Sequence, residues 1–423
     1  FEEQQRYLAF QAALEKDYPI YFEQKYHPSQ TTLADLQAIL DEKGAVIEFF
    51  QGEQQIYAAL ITKQSLHIHK TVLQEGYQEQ VHSLLKIVSD NATTPTAFAD
   101  FGQLASSLYE QLLGALKIPA HIEQLTIIPD KDISRIPFQT LLKHPVKSPI
   151  REARYDTLSY LVQDYELNYA YASALLTEQV SMQCSNAALT FGGFAPLFNH
   201  TPSFTRNGER LGRLLSSMTE VQQIAALLDG EIYSDTIATR EHFIKRVSKH
   251  RILHLATHAN LNAHEPMESE IHFIDTSLTV REIYNLPICA ELAVLSACET
   301  ASGELKKGEG ILSLARAFAF AGCPSLVASL WKVNDKRTSE IMFDFYTALK
   351  AGKTKSASIR QAQINYFDNI NSYSEAHPYY WAAFVTMGNA EAIFDTPFPY
   401  WWWAVAFLVL VVVLTLVMNY RLK

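Results

Sequence analysis

The composition of this 423-residue chain, with 48% hydrophobic and 19% charged residues, is that of a folded globular protein and argues against disorder. The formal net charge is −10, and no run of Lys and Arg is long enough to follow a phosphate backbone, so we expect no direct nucleic-acid partner. The four cysteines are too few for a disulfide framework and form no paired C-x-x-C motif. We therefore expect reduced thiols and neither a metal nor another cofactor.

The chain begins with helical patterns and then changes to β-rich ones. Residues 1–43 mix charged and apolar residues at helical spacing, and two prolines divide them into short helices. We predict that this segment is the end of a helical, repeat-containing region that begins upstream. From Ala45 to Leu73, short β-rich runs separated by turn residues predict a meander or hairpin. A helical stretch follows at about residues 97–116.

Farther along the chain, short apolar strands alternate with helices. The predicted strands cover residues 188–194, 251–258, 291–298, 325–331 and 381–388, with helices near 218–228, 311–321 and 337–350. This alternation is typical of an α/β fold in which a mostly parallel sheet carries helices on both faces. We assign residues 44–395 to this domain.

The last residues, 396–423, predict a proline-containing linker and one transmembrane helix. Residues 401–418 contain no charged or strongly polar side chain and would span about 27 Å as a helix, close to the thickness of a bilayer core. Tryptophans at one end of the run, and Arg421 and Lys423 beyond the other, are typical interfacial anchors. We expect a single-pass membrane protein. The side on which the domain lies stays open, since basic residues after the span and a tail anchor predict opposite orientations.

Two of the apolar strands are each followed by one reactive side chain. "ILHLAT" leads to His258, and "LAVLSA" leads to Cys298, 40 residues later. Forty residues allow one crossover to a neighbouring parallel strand, and active sites of α/β sheets lie just beyond the carboxyl ends of strands. We predict a dyad in which His258 activates the Cys298 thiol and then protonates a leaving amine. The backbone N–H groups of Ala259 and Cys298 form the expected oxyanion hole.

Less specific explanations exist for both side chains. A cysteine at a strand end is often only a small buried apolar residue. His254 and His258 resemble a metal-binding pair, but in a strand they lie about 13 Å apart, and Leu255 replaces the glutamate of an H-E-x-x-H signature. The remaining cysteines lack a comparable context; they are Cys184, Cys289 and Cys323.

Longer blocks of the sequence resemble CHAT-domain proteins, a caspase-like branch of the peptidase clan that includes caspases, separase and gingipain-type proteases. The blocks include "HLATHA", "VLSACET", "GEGILSLARAFAFAGCPSLVASLWKVND" and "HPYYWAAFVTMG", and the resemblance covers about residues 45–390. It implies a caspase-like fold, His258 and Cys298 as the catalytic dyad, and a regulated cysteine endopeptidase activity. Helical repeats often precede the domain in such proteins.

The resemblance also bears on specificity. It implies that the loop after strand 325–331 helps to line the primary specificity pocket. Asp335 in this region either attracts a basic substrate residue or caps the following helix, and Trp331 either lines the pocket or packs in the core. Ala259 and "SACET" stand where caspases proper carry glycine and Q-A-C-x-G, so a preference for aspartate is not carried over.

These patterns support one leading hypothesis and one alternative. The leading hypothesis is a membrane-anchored cysteine endopeptidase that cleaves a protein partner and is regulated by an upstream helical region or by a partner. The alternative is a catalytically inactive scaffold that uses the same domain to bind proteins at the membrane. A thiol-reactive probe separates them, because only an activated Cys298 reacts faster than the other cysteines.

Overall fold

Strands alternate with helices through most of the chain. The computed structural model describes residues 5–8, 12, 15–16, 31–146, 152–182, 187–198, 214–260, 262, 266–296, 305–306, 310–311, 314–331, 335–370 and 372–396. The strands are β1 (Gly44–Gln51), β2 (Gln55–Thr62), β3 (Leu66–Val72), β4 (Gln124–Ile128), β5 (Glu166–Tyr169), β6 (Leu189–Ala195), β7 (Glu231–Ser234), β8 (His250–Leu255), β9 (Ala259–Asn260), β10 (Glu270–His272), β11 (Ser277–Thr279), β12 (Leu292–Leu295), β13 (Leu305–Lys306), β14 (Gly310–Ile311), β15 (Ser325–Ser329) and β16 (Phe384–Gly388). The helices are α1 (Leu33–Ala38), α2 (Tyr77–Ser89), α3 (Pro95–Tyr109), α4 (Leu161–Asp164), α5 (Ser173–Ser181), α6 (Leu215–Leu228), α7 (Arg240–Arg246), α8 (Val280–Ile283), α9 (Leu314–Phe320), α10 (Asp335–Lys350), α11 (Lys355–Asp368) and α12 (Pro378–Trp381).

Eleven strands form one sheet in the order β3-β2-β1-β4-β5-β16-β15-β12-β8-β6-β7. The strands from β15 to β7 run parallel to one another. The strands from β1 to β16 form a second parallel group, which runs the opposite way because β16 pairs antiparallel with β15. The hairpin strands β2 and β3 extend the sheet beyond β1. The predictions of a mostly parallel sheet and of a hairpin after Ala45 are confirmed.

Helices cover both faces of this sheet. On β1, Val46 packs with Leu36 of α1 and Leu176 of α5. Its neighbour Ile47 belongs to the main core, which also contains Leu84 of α2. Because successive strand residues point to opposite faces, α1 and α5 lie on one face of β1 and the main core lies on the other.

Helix α11 is not predicted by the apolar pattern, because many of its buried positions are polar. Lys355, Ser358 and Gln363 are all buried on this helix. The Lys355 ammonium donates to the carbonyls of Asn389 and Glu391, at 3.2 and 2.8 Å. Burial lowers the pKa of Lys355 to about 8. Hydrophobic periodicity is the main helix signal in a sequence. A helix that buries polar side chains against backbone groups lacks this periodicity and is therefore not predicted.

The boundaries of two predicted elements are wrong. The strand predicted from residue 381 begins at Phe384, because Pro378–Trp381 forms the helical turn α12. The helix predicted to reach residue 116 ends at Tyr109 and continues as a π-helical turn over Glu110–Gly114.

Among the helices in the described ranges, none is both long and apolar enough to cross a bilayer. Residues 401–418, where the sequence predicts such a helix, lie outside these ranges. Within the N-terminal segment, the helical residues in the described ranges are 5–8, 12, 15–16 and those of α1. Both the membrane anchor and the upstream helical region therefore remain predictions.

We predict that His377 makes folding sensitive to acid. His377 is buried against Tyr155, with ring centroids 4.4 Å apart, and its Nδ1 accepts the Tyr379 backbone N–H at 3.0 Å. Burial lowers the pKa of His377 from 6.5 to about 4. Between about pH 6.5 and pH 4 the unfolded chain binds a proton at this residue and the folded chain does not. The free energy of unfolding therefore falls by about 3 kcal/mol as the pH drops through this range.

His377→Asn keeps a hydrogen-bond acceptor at the start of α12 and removes the titrating group. Urea unfolding at several pH values should show a shallower pH dependence for this variant than for the wild type. Equal slopes for the two proteins would contradict the assignment.

Candidate active site

Strands β8 and β12 are parallel neighbours inside the five-stranded parallel group that runs from β15 to β7. Ile252 pairs with Leu292 and Leu255 with Leu295, and the Ser296 N–H donates to the Leu255 carbonyl at 3.1 Å. The two strands thus end at the same level. Their short, almost fully buried sequences are typical of the centre of a parallel sheet.

His258 follows Leu255 by three residues, and Cys298 follows Leu295 by the same number. The chain segments that carry the two predicted dyad residues therefore leave the sheet side by side, at the carboxyl ends of their strands. Cys298 itself lies outside the described residues, which end at Ser296 in this segment. The Cys298 backbone N–H, predicted for the oxyanion hole, lies outside them as well.

His258 lies at the start of a small three-stranded sheet, β9-β10-β11. Its carbonyl accepts the His272 N–H at 2.9 Å, and its half-buried ring lies 5.3 Å from the ring of Phe198, between centroids. Ala259 is the first residue of β9 and pairs with Ile271. Because hydrogen bonding alternates along an antiparallel strand, bonding at His258 directs the Ala259 N–H away from β10.

Two polar residues of β10, His272 and Glu270, are not predicted from the sequence. The register of β9 with β10 places His272 opposite His258, and opposite side chains in an antiparallel pair share a face. The imidazole of His272 is 5% exposed, and its Nε2 lies 3.7 Å from the Glu270 carboxylate. Burial lowers the pKa of His272, and His258 lowers it further, while Glu270 raises it. A buried imidazole with a lowered pKa thus stands opposite the predicted base, and a carboxylate lies next to that imidazole.

Glu270 itself is held in place by Ser277, whose hydroxyl donates to its carboxylate. The Thr257 hydroxyl donates to the His272 carbonyl at 2.6 Å, which ties the segment before His258 to β10. The only sequence signal for these residues is the short polar–apolar alternation of "EIH", which predicts a strand but not its partner.

His254 does not form a metal-binding pair with His258 in this structure. Its ring is fully buried, and its two nitrogens lie within hydrogen-bonding distance of Glu220 and Tyr346. His258 instead lies beyond the end of β8, against Phe198.

The two predicted pocket residues follow β15. Trp331 is 3% exposed and its indole N–H donates to the Tyr379 carbonyl at 3.1 Å, an arrangement typical of a packed core residue. Asp335 is the first residue of α10, two positions before the predicted helix start at residue 337, and its side chain lies outside the described part of the structure. A role for either residue in specificity remains a prediction.

Comparison with known proteins relates most of this chain to one family. A sequence profile described as "CHAT domain" matches residues 102–389. Tetratricopeptide repeat protein 28 of Mus musculus is 30% identical over 112 residues, which is 26% of this chain and 4% of that protein. The protein of the same name in Homo sapiens is 28% identical over the same length. The chain thus spans about 4% of the length of these relatives.

Two crystal structures of the Saccharomyces cerevisiae separase–securin complex, at 2.6 and 3.0 Å resolution, resemble the fold. Each has a TM-score of 0.53 and covers 84% of this chain. The identities are 11% and 10%, and the matches cover 31% and 30% of the two solved chains. At this level of identity the likeness concerns the fold alone, and it supports the predicted caspase-like architecture.

Proposed function

Because the chain belongs to the CHAT-domain family, we propose that it is a caspase-like cysteine endopeptidase with His258 and Cys298 as its catalytic dyad. The observation that carries the proposal is the parallel pairing of β8 with β12, with Leu255 opposite Leu295. Two peptide units beyond Ser296 reach at most about 7 Å. The proposal therefore puts Cys298 near the edge at which His258 lies, the kind of place where strand ends of α/β folds build active sites.

The proposed reaction uses the two side chains in turn. His258 accepts the proton of the Cys298 thiol, and the thiolate attacks the carbonyl carbon of the scissile peptide bond. The N–H groups of Ala259 and Cys298 stabilise the oxyanion. The imidazolium of His258 then protonates the leaving amine, which leaves a thioester on Cys298. Water attacks the thioester, and His258 takes the proton of this water to release the acid and the free thiol.

The neighbours of His258 suit this cycle. The base becomes an imidazolium after it takes the thiol proton, and a nearby carboxylate stabilises a positive charge. Glu270 on the adjacent strand β10 lies 3.7 Å from the imidazole of His272, which stands opposite His258. Burial lowers the pKa of His272 and so disfavours a second positive charge beside the proposed base.

The name of the relatives points to protein–protein interaction. Their name refers to tetratricopeptide repeats, which are helical repeats that form extended binding surfaces. We propose that an upstream helical region of this kind, or a separate protein, controls the peptidase and presents its substrate. The scaffold alternative has the same domain and the same kind of protein partners, but its dyad is not catalytically active.

Membrane attachment by residues 401–418 is part of the same proposal and rests on their apolar sequence. We predict that the full-length chain stays with membranes after alkaline carbonate extraction, because a spanning helix is not removed by high pH. A chain that ends at Thr396 should be released. Release of the full-length chain would contradict the anchor.

We predict that Cys298 is the most reactive thiol of the full-length protein at pH 7. An unperturbed thiol is only a few per cent ionised at this pH, so the loss of His258 in His258→Ala should slow alkylation of Cys298 by about tenfold or more. The measurement is the rate of modification by iodoacetamide, followed at each cysteine by peptide mass spectrometry. Cys289, which is partly exposed, serves as the internal reference.

A peptidyl acyloxymethyl ketone carrying Arg or Asp at its terminal position extends this test to peptide recognition. Labelling that disappears in Cys298→Ala and favours Arg would support an active peptidase with a preference for basic residues. Equal and slow reaction of Cys298 and Cys289 in the wild type would favour the scaffold.

A further inference from the structure

A buried polar network lies directly beneath the edge at which β8 and β12 end. The Nε2 atom of His254, on β8, lies 2.8 Å from Oε1 of Glu220 on α6, and its Nδ1 lies 3.0 Å from the hydroxyl of Tyr346 on α10. His254 and Tyr346 are fully buried, and Glu220 is 2% exposed. One imidazole thus joins the central strand to two helices.

Burying this polar network in an otherwise apolar region costs free energy. Phe191 packs against both rings, with centroids 6.1 Å from His254 and 5.8 Å from Tyr346. Removing a carboxylate and an imidazole from water costs free energy, and well-packed apolar residues in their place are often as stable or more so. The pair is therefore weak evidence of a gain in stability, and its hydrogen-bonded geometry points instead to a role in fixing positions at this point.

Ser296 links the network to the cysteine segment. Its hydroxyl lies 3.3 Å from Nε2 of His254, and its backbone N–H bonds to the Leu255 carbonyl. Ser296 stands two residues before Cys298. The chain that carries the proposed nucleophile thus leaves the sheet from a residue that β8 holds through both its backbone and its side chain.

We propose that Glu220 and His254 are positioning residues for the cysteine segment. The pair holds Ser296 in place and thereby sets the point from which Cys298 reaches His258. Neither residue touches the substrate. The inference rests on the proposed dyad and adds to it that helices α6 and α10, which supply Glu220 and Tyr346, help to order the nucleophile.

Three variants test the link in the full-length chain. Ser296→Ala removes the hydroxyl without leaving a buried charge unpaired, and Ser296→Thr keeps the hydroxyl. His254→Gln removes the imidazole itself. We expect Ser296→Ala and His254→Gln to lower the ratio of Cys298 to Cys289 alkylation rates by about tenfold, because small displacements of a reacting group have large effects on rate. Ser296→Thr should restore most of the ratio.

His250→Gln is the matched control. His250 lies on the same strand and is also fully buried, with its Nδ1 3.1 Å from the Arg246 carbonyl and its Nε2 3.3 Å from Glu231. It stands at the opposite end of β8 from His258. Its loss should lower the melting temperature in the way that His254→Gln does, yet leave the ratio of alkylation rates within about twofold of wild type.

The outcomes separate the two proposals. A wild-type protein whose Cys298 reacts no faster than Cys289 would overturn the dyad, and the positioning role with it. An elevated wild-type ratio that survives in both Ser296→Ala and His254→Gln would overturn the positioning role alone. An elevated ratio that falls equally in His250→Gln would also overturn it, because the effect would then follow stability.

Discussion

The pairing of β8 with β12 determines where two loops leave the sheet, and the rest of the site depends on it. The register of Leu255 with Leu295 makes both strands end at one level, and each residue of slip would move one loop by about 3.3 Å relative to the other. Burial holds the register, since all four residues of β12 are buried. The apolar sequences of these strands therefore do more than fill the core, because they align two segments that are 40 residues apart in the chain.

Polar groups with different tasks lie at opposite ends of the same strands. At the carboxyl ends, the His254 network lies beneath the edge from which the segments of the proposed dyad leave the sheet. At the other end, the Arg251 guanidinium donates to the Ile393 carbonyl at 2.8 Å, and Lys355 holds the carbonyls of Asn389 and Glu391. These latter contacts fasten the chain after β16 to the sheet, far from the reactive edge. Stability and chemistry are thus separated along the strand direction.

The sequence predicts the parts of this arrangement that depend on local pattern. Alternation of short apolar strands with helices indicates the parallel sheet, and the position of His258 after "ILHLAT" indicates its edge. Partners from distant segments are not encoded locally. Glu220 and Tyr346 lie 34 and 92 positions from His254 in the chain, and only the packing of α6 and α10 brings them together. His272 is a second example. Its place opposite His258 follows from the register of β9 with β10, which no sequence motif predicts.

A titration of the His258 imidazole tests the central claim, that β8 and β12 bring His258 and Cys298 together. Nuclear magnetic resonance of the full-length protein with labelled histidines would follow its charge in the wild type and in Cys298→Ala. A thiolate within reach stabilises the imidazolium, so the wild-type ring should keep its second proton to a pH about one unit higher than the ring in Cys298→Ala. Identical titrations in the two proteins would contradict the dyad.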